Sequence, residues 1–263
     1  MISQFTSALL ISDLHLTPSM PLTAQRFFDF CEKEGSGVEA VFILGDLFEY
    51  WIGDDAVSDS PFQKEVKAAI AKLSTKTKIY YMHGNRDFLI GADFLKKTGM
   101  TLLPDPTKIL IANQEYILCH GDSLCTADAA YQIFRNWVRK SWLQKLFLNM
   151  PLRWRRSIAH HLRNNSTKQY PQTVHNTVDT VQDKSNVTLS GCAALLSNLS
   201  GERLIHGHTH RPAHHHESLH SQEWQRWVLS DWDLDHPESI LPKASALRID
   251  ASGAHYIDLV KAH

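Results

Sequence analysis

No stretch of this chain approaches the roughly 18 consecutive apolar residues of a membrane-spanning helix, which excludes a protein anchored by one. The first residues lack the basic start and long apolar core of a signal peptide, since Ala8–Ile11 is only a strand-length run. The expectation is a protein that stays in the cytoplasm and remains free to touch a membrane surface. Cysteine is also scarce. Cys31, Cys119, Cys125 and Cys192 show neither CxxC nor zinc-ribbon spacing, which excludes a zinc-ribbon site and leaves buried or free thiols. The sequence has no internal repeat. Acid is missing from one long segment: between Ala129 and Val178 there is no Asp or Glu, yet nine Lys or Arg are present. These are Arg135, Arg139, Lys140, Lys145, Arg153, Arg155, Arg156, Arg163 and Lys168. The net charge of −1 therefore conceals a basic segment inside an acidic remainder.

What is present describes an ordinary globular chain of 263 residues, with 43% hydrophobic and 21% charged residues. Its first half alternates strand and helix signals. Short apolar runs at Ala8–Ser12, Val41–Leu44 and Lys78–Met82 are separated by helical spacing at Thr23–Glu34 and Pro61–Leu73, which predicts parallel strands. Asn113-Gln114 between Lys108–Ala112 and Glu115–Cys119 predicts a hairpin, so the sheet should be mixed. Asp128–Leu162 has helical periodicity interrupted at Pro151. A helix is expected near Thr177–Leu199, and strands return at Leu204–Ile205, Trp227–Leu229, Leu247–Ile249 and Tyr256–Leu259. The tract His214–His216 is expected in a solvated loop.

Sixteen histidines are more telling than the four cysteines, because imidazole is the commonest transition-metal ligand. Five of them fall, with Asp and Asn, in five clusters: Ser12-Asp13-Leu14-His15, Gly45-Asp46-Leu47-Phe48-Glu49, Gly84-Asn85-Arg86-Asp87, His120-Gly121-Asp122 and His206-Gly207-His208-Thr209-His210. Each follows a strand-length apolar run, and ligands of open α/β sheets gather at the carboxyl ends of strands. On an extended backbone, residues two apart point the same way, so Asp13 and His15 would share a cation while Leu14 enters the core. Mixed oxygen and imidazole donors suit Mn²⁺, Fe²⁺, Co²⁺ or Zn²⁺ better than Ca²⁺. Any one cluster also has a plainer reading, as a hydrogen-bonded core histidine or a helix-capping aspartate. Five in this order point to a two-metal phosphoesterase.

The series Asp13-x-His15, Gly45-Asp46, Gly84-Asn85, His120 and His206-Gly207-His208-x-His210 resembles the calcineurin-like metallophosphoesterases. That resemblance implies an α/β (α+β) fold, a β-sandwich flanked by helices, forming one domain over 1–263 with a helical lid inserted at about 128–165. It implies two divalent cations, Mn²⁺ being the expected pair. Asp13, His15, Asp46 and His208 would hold one, and Asp46, Asn85, His120 and His206 the other, with Asp46 shared. Asp122 and His210 would orient the ligands from behind, and Glu49, Asp54 and Asp55 would do likewise or cap helices.

One departure narrows the resemblance. Arg86 stands where the broad family usually has His. With the long run Gly45–Asp55, His120–Thr126 and Leu204–Pro212, it is similar to a bacterial branch acting on UDP-2,3-diacylglucosamine in lipid A synthesis. That branch implies attack on the α-phosphorus, giving UMP and 2,3-diacylglucosamine 1-phosphate. Asp46, Asn85 and Arg86 would carry the chemistry. Arg86, always cationic, would stabilise developing charge rather than act as an acid. Substrate contacts carried over are Asn85, Arg86, Asp128, Ser166 and His206. Tyr170 and Thr173 fall at further such positions, where relatives have Asn and Lys.

The segment Tyr131–Arg163 would then form a lid, with Phe134, Trp137, Trp142, Leu146 and Phe147 lining an acyl chamber. Arg153, Arg155 and Arg156 would meet anionic phospholipid head groups. Competing readings are a helical hairpin packed on the core, a soluble nucleotide or cyclic-nucleotide phosphodiesterase, and a metal-dependent scaffold. No nucleic-acid partner is expected.

Overall fold

The computed structural model describes residues 4–169, 186–236 and 241–260, with the side chains of residues 162–169 outside that description. Two six-stranded sheets form its centre. One runs in the order β12 (Gly253–Asp258), β11 (Ser245–Asp250), β2 (Ala8–Ile11), β3 (Ala40–Ile43), β4 (Lys78–Tyr81) and β5 (Met100–Leu102). The other runs β1 (Gln4–Phe5), β6 (Thr107–Ile111), β7 (Gln114–Leu118), β8 (Arg203–His206), β10 (Gln222–Val228) and β9 (Ala213–Leu219). Strands β2 to β5 pair in parallel, as do β7 and β8, while β6 and β7 form the expected hairpin. Its turn places Ala112 and Asn113 at φ of 49° and 62°, and Asn tolerates that region better than most residues.

Strand alternation explains the layers. In β2 every residue is buried, but to opposite sides. Ala8 and Leu10 join Phe42, Leu44, Ile109, Leu118, Ile205 and Trp227 between the sheets. Leu9 and Ile11 instead meet α1 (Pro21–Glu32) and α2 (Pro61–Ser74) through Phe27, Phe30, Val66 and Ile70, with Phe94 of α3 (Ala92–Thr98) beside them. On the far face of the other sheet, Cys192 and Leu196 of α7 (Leu189–Asn198) cover Ile117, Leu204 and Trp224. This is a β-sandwich flanked by helices. All four cysteines are free and buried, and burial pushes the Cys31 thiol up to about 12.

Three departures from the sequence reading have physical causes. The tract His214–His216 is not a solvated loop: it forms part of edge strand β9, where His214 stacks on Trp227 at 4.3 Å and 10°. Asp128–Leu162 breaks twice, giving α4 (Ala129–Val138), α5 (Ser141–Leu148) and α6 (Leu152–Gln169). The extra break at Lys140 has no Gly or Pro to announce it. Helix α7 starts at Leu189, where Thr188 Oγ1 accepts from Gly191 N at 3.1 Å, and the earlier part expected from Thr177 reaches outside the described residues. No helix among the described residues is long and apolar enough to cross a membrane.

Candidate metal centre

Five strands deliver the five clusters to one place. Beyond β2 stand Asp13 and His15, beyond β3 Asp46, beyond β4 Asn85 and Arg86, beyond β7 His120, and from the end of β8 His206, His208 and His210. Asp13 and His15 do share the site, but not through the strand pleat. Their φ angles are 54° and 47°, so the backbone leaves the extended region at each while Leu14 between them is fully buried. Asp46, His208 and His210 are also left-handed, at 52°, 68° and 55°. Two glycines permit the close approach of these loops. A Cβ on Gly84 would collide with the Asp46 carboxylate, and one on Gly207 with Ser12 and the Asp13 carboxylate.

The side chains converge on two overlapping groups, Asp13 with His15 and His210, and Asp13 with Asp46 and His120, each with its ligand atoms within 4.8 Å of one another. Asp46 Oδ2 lies 4.0 Å from His15 Nε2 and 3.8 Å from His120 Nε2, so one carboxylate faces both sides. Asn85 Oδ1 lies 3.0 Å from His120 Nε2 and 3.0 Å from His208 Nδ1. His210, expected behind the ligands, instead places Nε2 at 3.3 Å from His15 Nε2 and 3.4 Å from Asp13 Oδ1.

This donor set fits divalent cations. His120 Nδ1 donates to the Leu44 carbonyl at 2.8 Å, which turns Nε2 toward Asn85 Oδ1 and Asp46 Oδ2, where a cation can take the place of its proton. Asp13 Oδ1 is buried and accepts no hydrogen bond among the described residues. Two carboxylates, a carboxamide oxygen and imidazole nitrogens thus crowd one buried space, which positive charge relieves, whether a cation or a protonated histidine supplies it. His206 is differently placed, because Nδ1 donates to the Gly207 carbonyl at 2.8 Å and Nε2 faces Arg226 Nη1 at 3.3 Å.

The charges show the same crowding. Burial raises the Asp46 carboxyl above its usual range, with Asp87 and Asp13 adding to the rise. Burial opposes ionisation of Asp13 too, yet the adjacent His210, with His120 and His15 beyond, holds it below the usual range. His120 is pushed up to about 9: burial works against its charge, but Asp46, Asp122 and Asp13 outweigh burial. Burial brings His206 down to about 4 and His208 down to about 3.

Around these groups, Glu49 stands 3.3 Å from His15 Nδ1 and 3.6 Å from Arg86 Nη1, linking a ligand candidate to the rim guanidinium. Arg86 N donates to Asp46 Oδ1 at 2.8 Å. Asp54 is a structural cap, accepting from Gly91 N and Phe94 N at 2.9 Å each, and Asp55 pairs with Arg155. Asp128 Oδ1 caps α4 by accepting from Tyr131 N at 2.9 Å. Ser166 lies on α6 with its side chain outside the description, and Tyr170 and Thr173 lie outside the described residues.

Sequence reasoning missed Asp87. Its buried carboxylate accepts from Gly84 N, Asp46 N and Leu47 N at 3.0, 3.3 and 2.7 Å, locking the second cluster to the third. Its place inside the third cluster was the one available signal. Arg155 was misread as head-group facing: it is buried, and donates to the Ile52 carbonyl at 2.5 Å and Asp55 Oδ1 at 2.8 Å. Arg156 remains exposed, with Asp59 at 3.1 Å.

The calcineurin-like phosphoesterase family matches residues 6–212. The chain is similar to a protein named UDP-2,3-diacylglucosamine hydrolase from Ralstonia nicotianae, 45% identical over 242 residues, covering 91% of this chain and 87% of that one. A protein of the same name from Neisseria meningitidis serogroup C is 41% identical over 256 residues, covering 97% and 98%. Among solved structures, a dimetal phosphatase from Danio rerio aligns with a TM-score of 0.47 and 13% identity, over 97% of this chain and 99% of that one.

Proposed function

The chain belongs to the calcineurin-like phosphoesterase family, and from that membership we propose that it hydrolyses the pyrophosphate of UDP-2,3-diacylglucosamine at the α-phosphorus. The products are UMP and 2,3-diacylglucosamine 1-phosphate. The observation that carries this reading is the junction between α4 and the centre. At its start, Tyr131 lies nearly parallel to His208, with ring centroids 6.3 Å apart at 25°. Further along, Ile133, Phe134 and Trp137 are exposed, followed on α5 by Trp142 and Leu146. A substrate with a phosphoanhydride at one end and acyl chains at the other matches both surfaces. The relatives at 41–45% identity support the same substrate by name.

Asp13, His15, Asp46 and His208 would hold one cation and Asp46, Asn85, His120 and His206 the other, Mn²⁺ being the chosen metal. Bound there, two divalent cations supply Lewis-acid polarisation and an acidified water. Asp46 faces both groups, and Asp87 fixes its backbone. Asn85 orients its carboxamide between two imidazoles. Arg86, held at the rim by Glu49, places a permanent positive charge where the phosphoryl oxygens gain negative charge. A phosphate leaving group needs little protonation, so a guanidinium suffices where an imidazole acid is absent. As a ligand, His206 would use either Nε2, freed from Arg226, or Nδ1, freed from the Gly207 carbonyl.

Helices α4 to α6, as a lid over about 128–165, would receive the acyl chains. Exposed Lys140, Lys145, Arg153 and Arg156 would meet anionic lipid at the cytoplasmic face of the inner membrane. The test is chelation followed by Mn²⁺ add-back with UDP-2,3-diacylglucosamine in mixed micelles. UMP and the lipid phosphate are expected as sole products. Release of UDP, or equal turnover of UDP-glucosamine without acyl chains, would overturn the reading in favour of a nucleotide phosphodiesterase.

A further inference from the structure

One buried carboxylate oxygen beside the centre gathers its donors from a single helix. Asp122 Oδ2 accepts from the Tyr131 hydroxyl at 2.9 Å, Arg135 Nε at 2.7 Å and Arg139 Nη2 at 3.2 Å. Its backbone carbonyl accepts from Gln132 Nε2 at 2.8 Å. Tyr131, Gln132 and Arg135 lie on α4, and Arg139 is its C-cap. The spacing of four between Tyr131, Arg135 and Arg139 puts all three on one face. Arg135 Nη2 also stands 3.4 Å from Asp105 Oδ2. Burial disfavours charge on Asp122, but His120, Arg139 and Arg135 hold its carboxyl below the usual range.

These contacts reach past α4 into the centre. Asp122 follows His120 by two residues, and Arg139 Nη2 donates as well to the Gly84 carbonyl at 3.1 Å, directly before Asn85. His120 Nε2 and Asn85 Oδ1 meet at 3.0 Å. The loops carrying these two groups are therefore clamped by one guanidinium that touches both. No side chain of α4 is fully buried, so its attachment leans on these polar contacts.

We propose that Asp122, acting through Arg139 and Arg135, is a positioning residue that sets the Gly84-Asn85 loop against the His120 loop. The affinity of the centre for divalent cations then depends on a helix that contributes no ligand. This inference rests on the metal-centre reading above. Partners standing behind metal ligands commonly change affinity or activity by about 10–100-fold. An anchor that merely held the lid would leave cation affinity untouched.

The experiment is Mn²⁺ titration calorimetry on the full chain and on Asp122→Asn, Arg139→Gln and Arg139→Lys, with melting temperatures alongside. Asp122→Asn and Arg139→Gln are expected to bind Mn²⁺ about 10-fold or more weakly. Arg139→Lys, which keeps the charge but not the fork, should fall between them and the parent. Should Asp122→Asn fail to fold, the half-exposed Arg139 decides through its two variants. A folded Arg139→Gln with parental Mn²⁺ affinity overturns the coupling alone. A parent protein that binds no Mn²⁺ overturns the metal centre itself.

Discussion

The metal centre and helices α4 to α6, the proposed insertion, are held by opposite means. At the centre, Asp13, Asp46, His120 and His206 are buried among loops that leave a deeply packed sandwich, and backbone amides grip the carboxylate of Asp87. In the insertion, α4 and α5 bury no side chain, and α6 buries Arg155 alone among its described side chains. The insertion is fastened through polar points instead, Asp122 at one end and Arg155 at the other. On the proposed reading, the difference would let one chain serve a substrate with two chemistries. Apolar packing is spent on fixing the ligands, which leaves the apolar side chains of the insertion facing outward, where lipid can cover them.

Asp46→Ala strikes the first region hardest. Turnover of the diacylated substrate is expected to drop by on the order of 10³-fold or more, since two-metal sites supply several kcal/mol of transition-state stabilisation. Full activity in this variant would disconnect hydrolysis from the cluster. Arg155→Met strikes the second region. It removes donors to the Met150 and Ile52 carbonyls and to Asp55. A local loss of about 2 kcal/mol is expected, moderated because Asp55 is largely exposed. Hydrogen exchange should rise in α6 and stay unchanged in β2 and β3; equal rises in both would mean that the regions are one cooperative unit.

Phe134→Ser with Trp137→Ser tests the outward face. KM for the diacylated substrate should increase about tenfold, or ~1.4 kcal/mol. The melting temperature should hold, because neither ring is buried. An unchanged KM would leave that face without its role. The smallest effect is in acid. The hydrogen bond and charge of Arg155 hold the Asp55 carboxyl below its usual range. A depressed carboxyl contributes stability that is complete above its unfolded pKa of about 3.9 and is lost as pH falls through its folded value. Exchange protection of α6 should therefore be flat from neutral pH down to about 5 and decline below about 4. A decline beginning near neutrality would assign the fastening to other groups.

The centre was legible because strand-length apolar runs ending in Asp, Asn or His state both where the backbone stops being buried and which atoms stand there. Even so, Asp13 and His15 were brought together for the wrong reason, since local spacing cannot report a positive φ. Asp87 escaped because, apart from Gly84 N, its partners are backbone amides of Asp46 and Leu47, 41 and 40 residues earlier in the chain. The insertion was legible in composition but not in geometry. Helical periodicity separates apolar from polar faces, yet it does not say whether an apolar face is covered. Nor can it single out Arg155, whose neighbours Arg153 and Arg156 are exposed while it is buried. The break at Lys140 adjoins Arg139, whose partners Gly84 and Asp122 are distant in sequence.

The left-handed backbone at Asp13, His15, Asp46, His208 and His210 has a bearing on how such a protein evolves. A side chain beyond glycine held there costs on the order of 1–3 kcal/mol, somewhat less for Asp and His than for bulkier residues. Glycine at any of the five would relax the backbone and delete a functional group in the same step. Selection for a sturdier fold alone would thus erode this centre first, leaving a well-folded protein without hydrolysis. Lineages that keep all five residues testify to continuous demand for the reaction, and searches for stabilised variants should leave these positions out.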